Sequence, residues 1–240
     1  MLYGLMNELI FILHIFSSLL FLGLAVRLGK MALGIYVALS GVLANLFVVK
    51  QIELFGLHAT ASDVFAVGGI LGLNLLQEIY GSDAAKKAVG ASLCALIFFA
   101  CMSQVHLLYS PSAFDSTQSA FVSILSSAPR IVAASIGVYY IVQRFDIVLF
   151  RFLKTGISHF GIRVLFSLLL SQALDTALFS FFGLYGIVDS ILEIMVVSYA
   201  VKCAIIACSS SLAASTQLMQ FLLIRLRESP GVQRKKRGQY

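Results

Sequence analysis

An ionisable group at the centre of a bilayer costs about 2.5–3.5 kcal/mol, so it is kept there only where it pairs, binds or conducts. In this chain Asp175 lies near the middle of a Leu- and Phe-rich run, within Ser171-Gln172-Ala-Leu-Asp175-Thr176. Helical steps of three and four put Ser171, Gln172 and Asp175 on one face. Such a stripe points into a helix bundle, where it either lines a solute pathway or is a hydrogen-bond cluster holding helices together. Lys202 sits inside another apolar run, behind Ser198 and Tyr199. A buried ammonium needs a partner or must lose its proton, and Asp175 is the candidate partner; a Lys snorkelling to an interface would stand nearer the end of its run. Asn74, Gln77 and Glu78 share a third face just before Tyr80-Gly81 and Lys86-Lys87. Glu78 there is a lining carboxylate or a solvated one at the membrane edge. Asn45, Lys50, Glu53 and, beyond a turn at Gly56, His58 and Asp63 gather at the opposite end, where Lys50 and Glu53 could be a plain surface pair. His14, His106 and His159 stand singly and read as structural.

The elements that position these side chains follow from composition. Of 240 residues, 60% are hydrophobic and 12% charged, with a mean hydropathy of +0.96. Soluble domains carry about 25% charged residues, so the solvent that suits this chain is a bilayer. Seven segments are long and apolar enough for helical spans: 7–26, 31–49, 62–80, 88–109, 129–149, 160–185 and 190–222. They are apolar all round, which argues against the alternating strands of a β-barrel. The fold class is therefore all-α, a polytopic membrane bundle of about seven helices. Residues 1–224 form one transmembrane domain and 225–240 a basic tail. Segment 110–128 is a loop or a short interfacial helix. The first run has no basic flank before it, so it reads as a span and not as a signal peptide.

Charge fixes an expected orientation. Placing the N-terminus outside puts Arg27, Lys30, Lys86, Lys87, Arg144, Arg151, Lys154, Arg163 and the six tail cations inside, against Lys50 and Arg130 outside. The tail, Arg225 to Arg237, suits anionic headgroups on the cytoplasmic side, and no nucleic-acid partner is needed to explain the net charge of +6. Four cysteines without CxxC or histidine spacing read as buried small hydrophobes, with no metal site. Neither HExxH, GxSxG nor a phosphate-cradling loop occurs, so the chain reads as neither an enzyme nor an ATPase, and no cofactor is implied. Polar stripes without chemistry fit a small-solute pathway.

Three motifs in order carry a resemblance. Ala44-Asn45 through Lys50, Glu53 and Leu57, continued by Glu78-Ile-Tyr80-Gly81, Ala85 and Ala88-Val89, is followed by Ser171-Gln172-Ala-Leu-Asp175-Thr176-Ala-Leu-Phe179 and by Tyr199 to Lys202. Over residues 40–210 the chain resembles the queuosine precursor transporter family, also described as vitamin uptake transporters. That resemblance implies a multi-pass protein of the bacterial inner membrane with six or seven helices, the first one additional to a six-helix core. It would import a 7-deazaguanine base (preQ0, preQ1 or queuine) for tRNA modification. Asn74 stands where many members have an Asp, and Ser209-Ser210-Ser211 where a Pro-containing break is common.

A guanine-like ring offers adjacent N–H donors to one carboxylate and a carbonyl oxygen to an amide or ammonium donor. On this reading Asp175 or Glu78 takes the donor edge, Gln172, Asn74 or Lys202 meets the carbonyl, and Phe and Tyr rings sandwich the base. Asn45 joins these binding candidates, while Lys50, Glu53, Ser171, Thr176 and Tyr199 are structural or coupling candidates. The alternative within transport is a membrane subunit that binds the solute and relies on a separate energy-coupling module. Ala91/Ala95 and Ala200/Ala204 have the spacing for packing against such a module or a second copy, and equally for packing within the bundle. An intramembrane enzyme would need a metal site or a nucleophile–base pair.

Overall fold

The computed structural model describes residues 2–48, 50–54, 57–60, 62–126, 129–185, 191–192, 195–196, 198–204 and 206–207. The Gly56 turn, Cys208, Ser209–Ser211, the rest of the last apolar run and the basic tail lie outside the described residues. In chain order the elements are α1 (Leu2–Leu28), α2 (Lys30–Phe47), β1 (Gln51–Leu54), β2 (Leu57–Thr60), α3 (Asp63–Tyr80), α4 (Ser82–Leu107), α5 (Gln118–Leu125), α6 (Pro129–Gly156) and α7 (Phe160–Phe179). A π-helical turn, Ser180–Leu184, extends α7, and residues 198–204 are helical around Lys202. Helix α4 starts earlier, and α6 ends later, than the apolar runs alone suggest. Lys86, Lys87, Arg151 and Lys154 continue these helices into the polar zone, and Lys and Arg are good helix formers there.

Among the described residues, five helices are long and apolar enough to cross a membrane: Met6–Leu28, Lys30–Phe47, Ser82–Leu107, Ala133–Gly156 and Phe160–Gly183. Helix α3, at 18 residues, is as long as α2 but carries Asp63, Asn74, Gln77 and Glu78. It can, because it is the axis of the bundle: α1, α2, α4, α6 and α7 all pack on it, and 13 of its residues are buried. By contrast α1 leaves Leu9, Leu13, Phe16, Leu20 and Phe21 exposed, the dress of a helix that faces lipid.

Small residues let α3 approach its neighbours closely. A Cβ at Gly68 would lie 2.8 Å from the Tyr36 hydroxyl and 3.1 Å from Ser18 Oγ, and one at Gly72 would lie 3.0 Å from Val37 Cγ2. This is how membrane helices gain contact where lipid competes with any larger apolar side chain. Single-residue links then turn the chain at one end. Gly29 (φ 101°) and Gly81 (φ 85°) take left-handed conformations that only glycine adopts freely. Gly29 faces Tyr80, so these two links lie side by side, and the α6–α7 link joins them through Arg163, described below. Most of the described loop cations cluster at this basic end.

At the other end the all-helical expectation misses a β-hairpin. Gln51↔Thr60, Ile52↔Ala59, Glu53↔His58 and Leu54↔Leu57 pair antiparallel, Leu54 is buried, and Asn7 Nδ2 of α1 donates to the Glu53 carbonyl at 3.1 Å. Phe65 stacks on Phe47 and meets His14 edge-on. Segment 110–128 contains α5, tied to α4 by Gln104 Nε2 donating to the Leu125 carbonyl at 2.9 Å. Before it, Asp115 Oδ1 accepts from the Thr117 amide and hydroxyl, both at 2.7 Å, which holds its carboxyl below the usual carboxylate range. Leu108, Tyr109 and Phe114 stand exposed here, as side chains at a membrane–water boundary do. Cys94 and Cys101 correct the expectation of burial: both are free thiols on the outer face of α4, since lipid accepts a small apolar group as readily as the core does.

Candidate substrate-binding site

Three polar layers are stacked along α3, read here from the basic end. The first is an ion-pair cluster. Glu78 Oε1 accepts from Arg163 Nη2 at 2.7 Å and Oε2 lies 3.1 Å from Lys154 Nζ. Arg163 is buried in α7, between the Phe150 and Phe160 rings, and also donates to the carbonyls of Ile157 and Ser158. Arg163 is therefore no loop cation, and Glu78 is engaged by two cations and is not a solvated carboxylate.

The middle layer begins where Gln77 Nε2 donates to the Ile147 carbonyl at 3.1 Å, which sets the register of α3 against α6. These helices run parallel, so about one turn back on each (about 4.5 Å on α3 and about 6 Å on α6) brings Asn74 and Gln143 to nearly the same level. Asp146, beside Ile147, crosses to α7: its Oδ1 accepts from Ser167 Oγ and, at 2.7 Å, from Ser171 Oγ. Gln172 follows Ser171 in the same helix. Asn74, Asp146, Ser167, Ser171 and Gln172 are wholly inaccessible. Yet both amide atoms of Asn74 and of Gln172, Oε1 of Gln77 and Gln143, and Oδ2 of Asp146 have no hydrogen-bond partner among the described residues. Each such atom costs about 1–3 kcal/mol if left bare, so this concentration marks a place where something else supplies the partners.

The third layer lies toward the hairpin. Lys202 Nζ donates to Asp175 Oδ2 at 2.7 Å and to Thr176 Oγ1 at 3.1 Å, and sits 3.9 Å from Asp63 Oδ1. The Tyr199 hydroxyl donates to the Leu169 carbonyl at 3.3 Å, seating the Lys202 helix on α7. The ion pair between Asp175 and Lys202 is thus formed, and Asp63, in the first turn of α3, joins it. Asp63 and Glu78 are 15 residues apart on one helix, so the two charge clusters are separated by about 22 Å along its axis.

Of the residues singled out in the sequence, Ser171 and its neighbour Gln172 lie in the middle layer, with Asn74 near that level on α3, and Asp175, Thr176 and Lys202 meet in the third. Asn45 Nδ2 caps the Gly41 carbonyl of its own helix at 3.2 Å, Lys50 is exposed, and Glu53 lies on a hairpin strand; these three stand apart from the layers. Among the described residues Lys50 and Glu53 form no ion pair, and no group of three or more His, Cys, Asp or Glu is placed to hold a metal ion. Sequence reasoning missed Asp146 and Gln143. Their neighbour Arg144 made the stretch look like the polar margin of a span, but the i, i+3 spacing of Gln143 and Asp146 was a readable signal.

A family model described as "Putative vitamin uptake transporter" matches residues 60–214, which include all three layers. The motif from Ala44 to Leu57 precedes the matched stretch. The chain is also similar to a protein of Bacillus subtilis (strain 168) named "Probable queuosine precursor transporter", with 31% identity over 185 residues, 74% of this chain and 80% of the relative. No solved structure matches. Because the family model spans well over half of the chain and reaches from the hairpin through Lys202, the protein belongs to the vitamin uptake transporter family and is a multi-pass membrane transporter.

Proposed function

We propose that the protein imports a 7-deazaguanine queuosine precursor across a bacterial inner membrane. Its N-terminus is then outside, its basic end and tail face the cytoplasm, and α3 and the Lys202 helix complete seven spans. The observation that carries this reading is the wholly buried middle layer, whose amide and carboxylate atoms lack hydrogen-bond partners among the described residues and which lies between two charge-paired clusters. A flat base with donors on one edge and a carbonyl on the next offers what those atoms need. Asn74, Gln143 and Gln172 surround the ring, and the name of the Bacillus relative points to the same solute class. The Asp63–Lys202–Asp175 cluster closes the layer toward the hairpin and Glu78–Arg163–Lys154 toward the basic end. Asp175→Ala then abolishes uptake at normal membrane abundance.

The test is complementation in a bacterium that makes no queuosine precursor and lacks its own importer. Each 7-deazaguanine is supplied at nanomolar concentration and queuosine is scored in tRNA; for queuine the host also carries a transglycosylase that accepts it. Restored modification establishes transport and names the substrate, and no restoration by well-expressed protein refutes the reading. A second reading, a solute-binding subunit served by an energy-coupling module, draws on Ala91, Ala200 and Ala204, which lie on the outer surface of the described bundle. Uptake that appears only when the host supplies such a module selects it.

A further inference from the structure

We infer that Asp146 is the residue that determines specificity, its carboxylate reading the paired N–H donors of a 2-amino-6-oxo ring; this rests on the transport reading above. Four carboxylates of the described residues lie within the polar layers, and three are spoken for by cations: Glu78 by Arg163 and Lys154, Asp175 and Asp63 by Lys202. Asp146 alone among these is held by hydroxyl groups. It is also the most deeply buried, with no accessible surface. A carboxylate in that position without a cation is costly unless further donors arrive.

The manner of its support indicates which donors. Ser167 and Ser171, one turn apart on α7, both donate to Oδ1 and so fix the plane of the carboxyl group. Oδ2 has no hydrogen-bond partner among the described residues, and Oδ1 retains acceptor capacity. A ring N–H and an adjacent exocyclic N–H run parallel, as the two arms of a guanidinium do, and meet both oxygens of one carboxylate at once. Gln143 precedes Asp146 by one turn on the same face, and Gln172 is the chain neighbour of Ser171. Asn74 lies one turn before Gln77, which bonds the Ile147 carbonyl next to Asp146. Asn74 and Gln172 have amide N–H groups without a partner among the described residues, available for the ring carbonyl. An adenine-type ring presents a lone pair where the guanine type presents its ring N–H, so the same carboxylate repels it. A site built to take a donor rejects the analogue lacking it, because a buried acceptor is then left bare.

The assignment is tested on the full-length protein in nanodiscs, by equilibrium binding of 7-deazaguanine, 7-deazahypoxanthine (the same ring without the exocyclic amine) and 7-deazaadenine. Wild-type protein should bind 7-deazaguanine about 10- to 100-fold more tightly than 7-deazahypoxanthine, the span of one hydrogen bond to a charged group. In Asp146→Asn, which keeps the shape but one acceptor oxygen, that preference should fall below about threefold. Equal affinity of the wild type for the two rings overturns the assignment without any variant having to fold. So does an Asp146→Asn protein that keeps the full preference, and so does one that keeps it while losing only sodium or proton dependence of uptake. Absence of binding to all three rings, with failed complementation, instead overturns the transport reading itself.

Discussion

Replacing Lys202 by Met removes the cation that Asp63 and Asp175 share. At an effective dielectric constant of about 20, the 2.7 Å contact with Asp175 is worth about 6 kcal/mol and the 3.9 Å approach to Asp63 about 4 kcal/mol before desolvation. Desolvating the ammonium offsets most of that attraction, so the intact cluster adds little net stability. Removing one member is different, because it strands charge in a dry place at about 3–5 kcal/mol. Met keeps the length of the lysine stem, so little of the cost is cavity formation. Asp175→Asn is gentler: Lys202 keeps Asp63 and Thr176, and a loss of about 1–3 kcal/mol follows. In a chain of this size about 2–4 °C corresponds to each kcal/mol, so Lys202→Met should lower the melting midpoint in detergent by about 10 °C and Asp175→Asn by about 5 °C. The double variant should recover part of the Lys202→Met loss, since one stranded anion is gone. Size-exclusion recovery after heating reads all three. A Lys202→Met protein melting within about 2 °C of wild type, or a double variant no better than Lys202→Met, would show that the three groups are not energetically coupled.

The cluster at the basic end should respond unequally. Glu78→Gln leaves buried Arg163 without its anion and costs about 3–4 kcal/mol, whereas Lys154→Ala, at a half-exposed partner, changes stability by less than about 1 kcal/mol; equal shifts in the melt would contradict this. Gly68→Val drives a side chain into the Tyr36 hydroxyl and should cost about 1–3 kcal/mol, with part regained in Tyr36→Phe; a silent Gly68→Val disproves the close packing. Cys94 and Cys101 should react in membranes with a lipid-soluble maleimide and resist a charged one, while a cysteine substituted at Phe114 reacts with both. Labelling of Cys94 by the charged reagent would place that face of α4 in water.

The long helices α1, α2, α4, α6 and α7 were legible because each is an apolar run of bilayer length, and the Lys202–Asp175 contact because two costly charges in separate runs have few ways to coexist. Legibility failed where position along a run misleads. Arg163 and Asp146 sit a few residues inside the margins of their spans, where a charge is ordinarily cheap, and only packing between α6 and α7 shows that both are buried. Glu78 could not be assigned from spacing, because its partners come from helices over seventy residues later in the chain. The hairpin escaped notice for another reason: Gln51–Leu54 is too short for its alternation to stand out beside helical runs. Asn45, Lys50 and Glu53 were drawn to the site by motif, yet belong to the hairpin end of the bundle.

Helix α3 also bears on how the protein is made. A segment carrying Asp63, Asn74, Gln77 and Glu78 is a poor passenger if the translocon must release it to lipid alone. The hairpin joins it to α2 and a single glycine joins it to α4, so the three can leave the channel as one packet with the polar edge turned away from the acyl chains. Even then Glu78 waits for Lys154 and Arg163, and Asp63 for Lys202, all synthesised later. Nascent chains halted after α4 should therefore be prey to membrane proteases, and resistance should arrive in two steps, first as α7 emerges and again when Lys202 does.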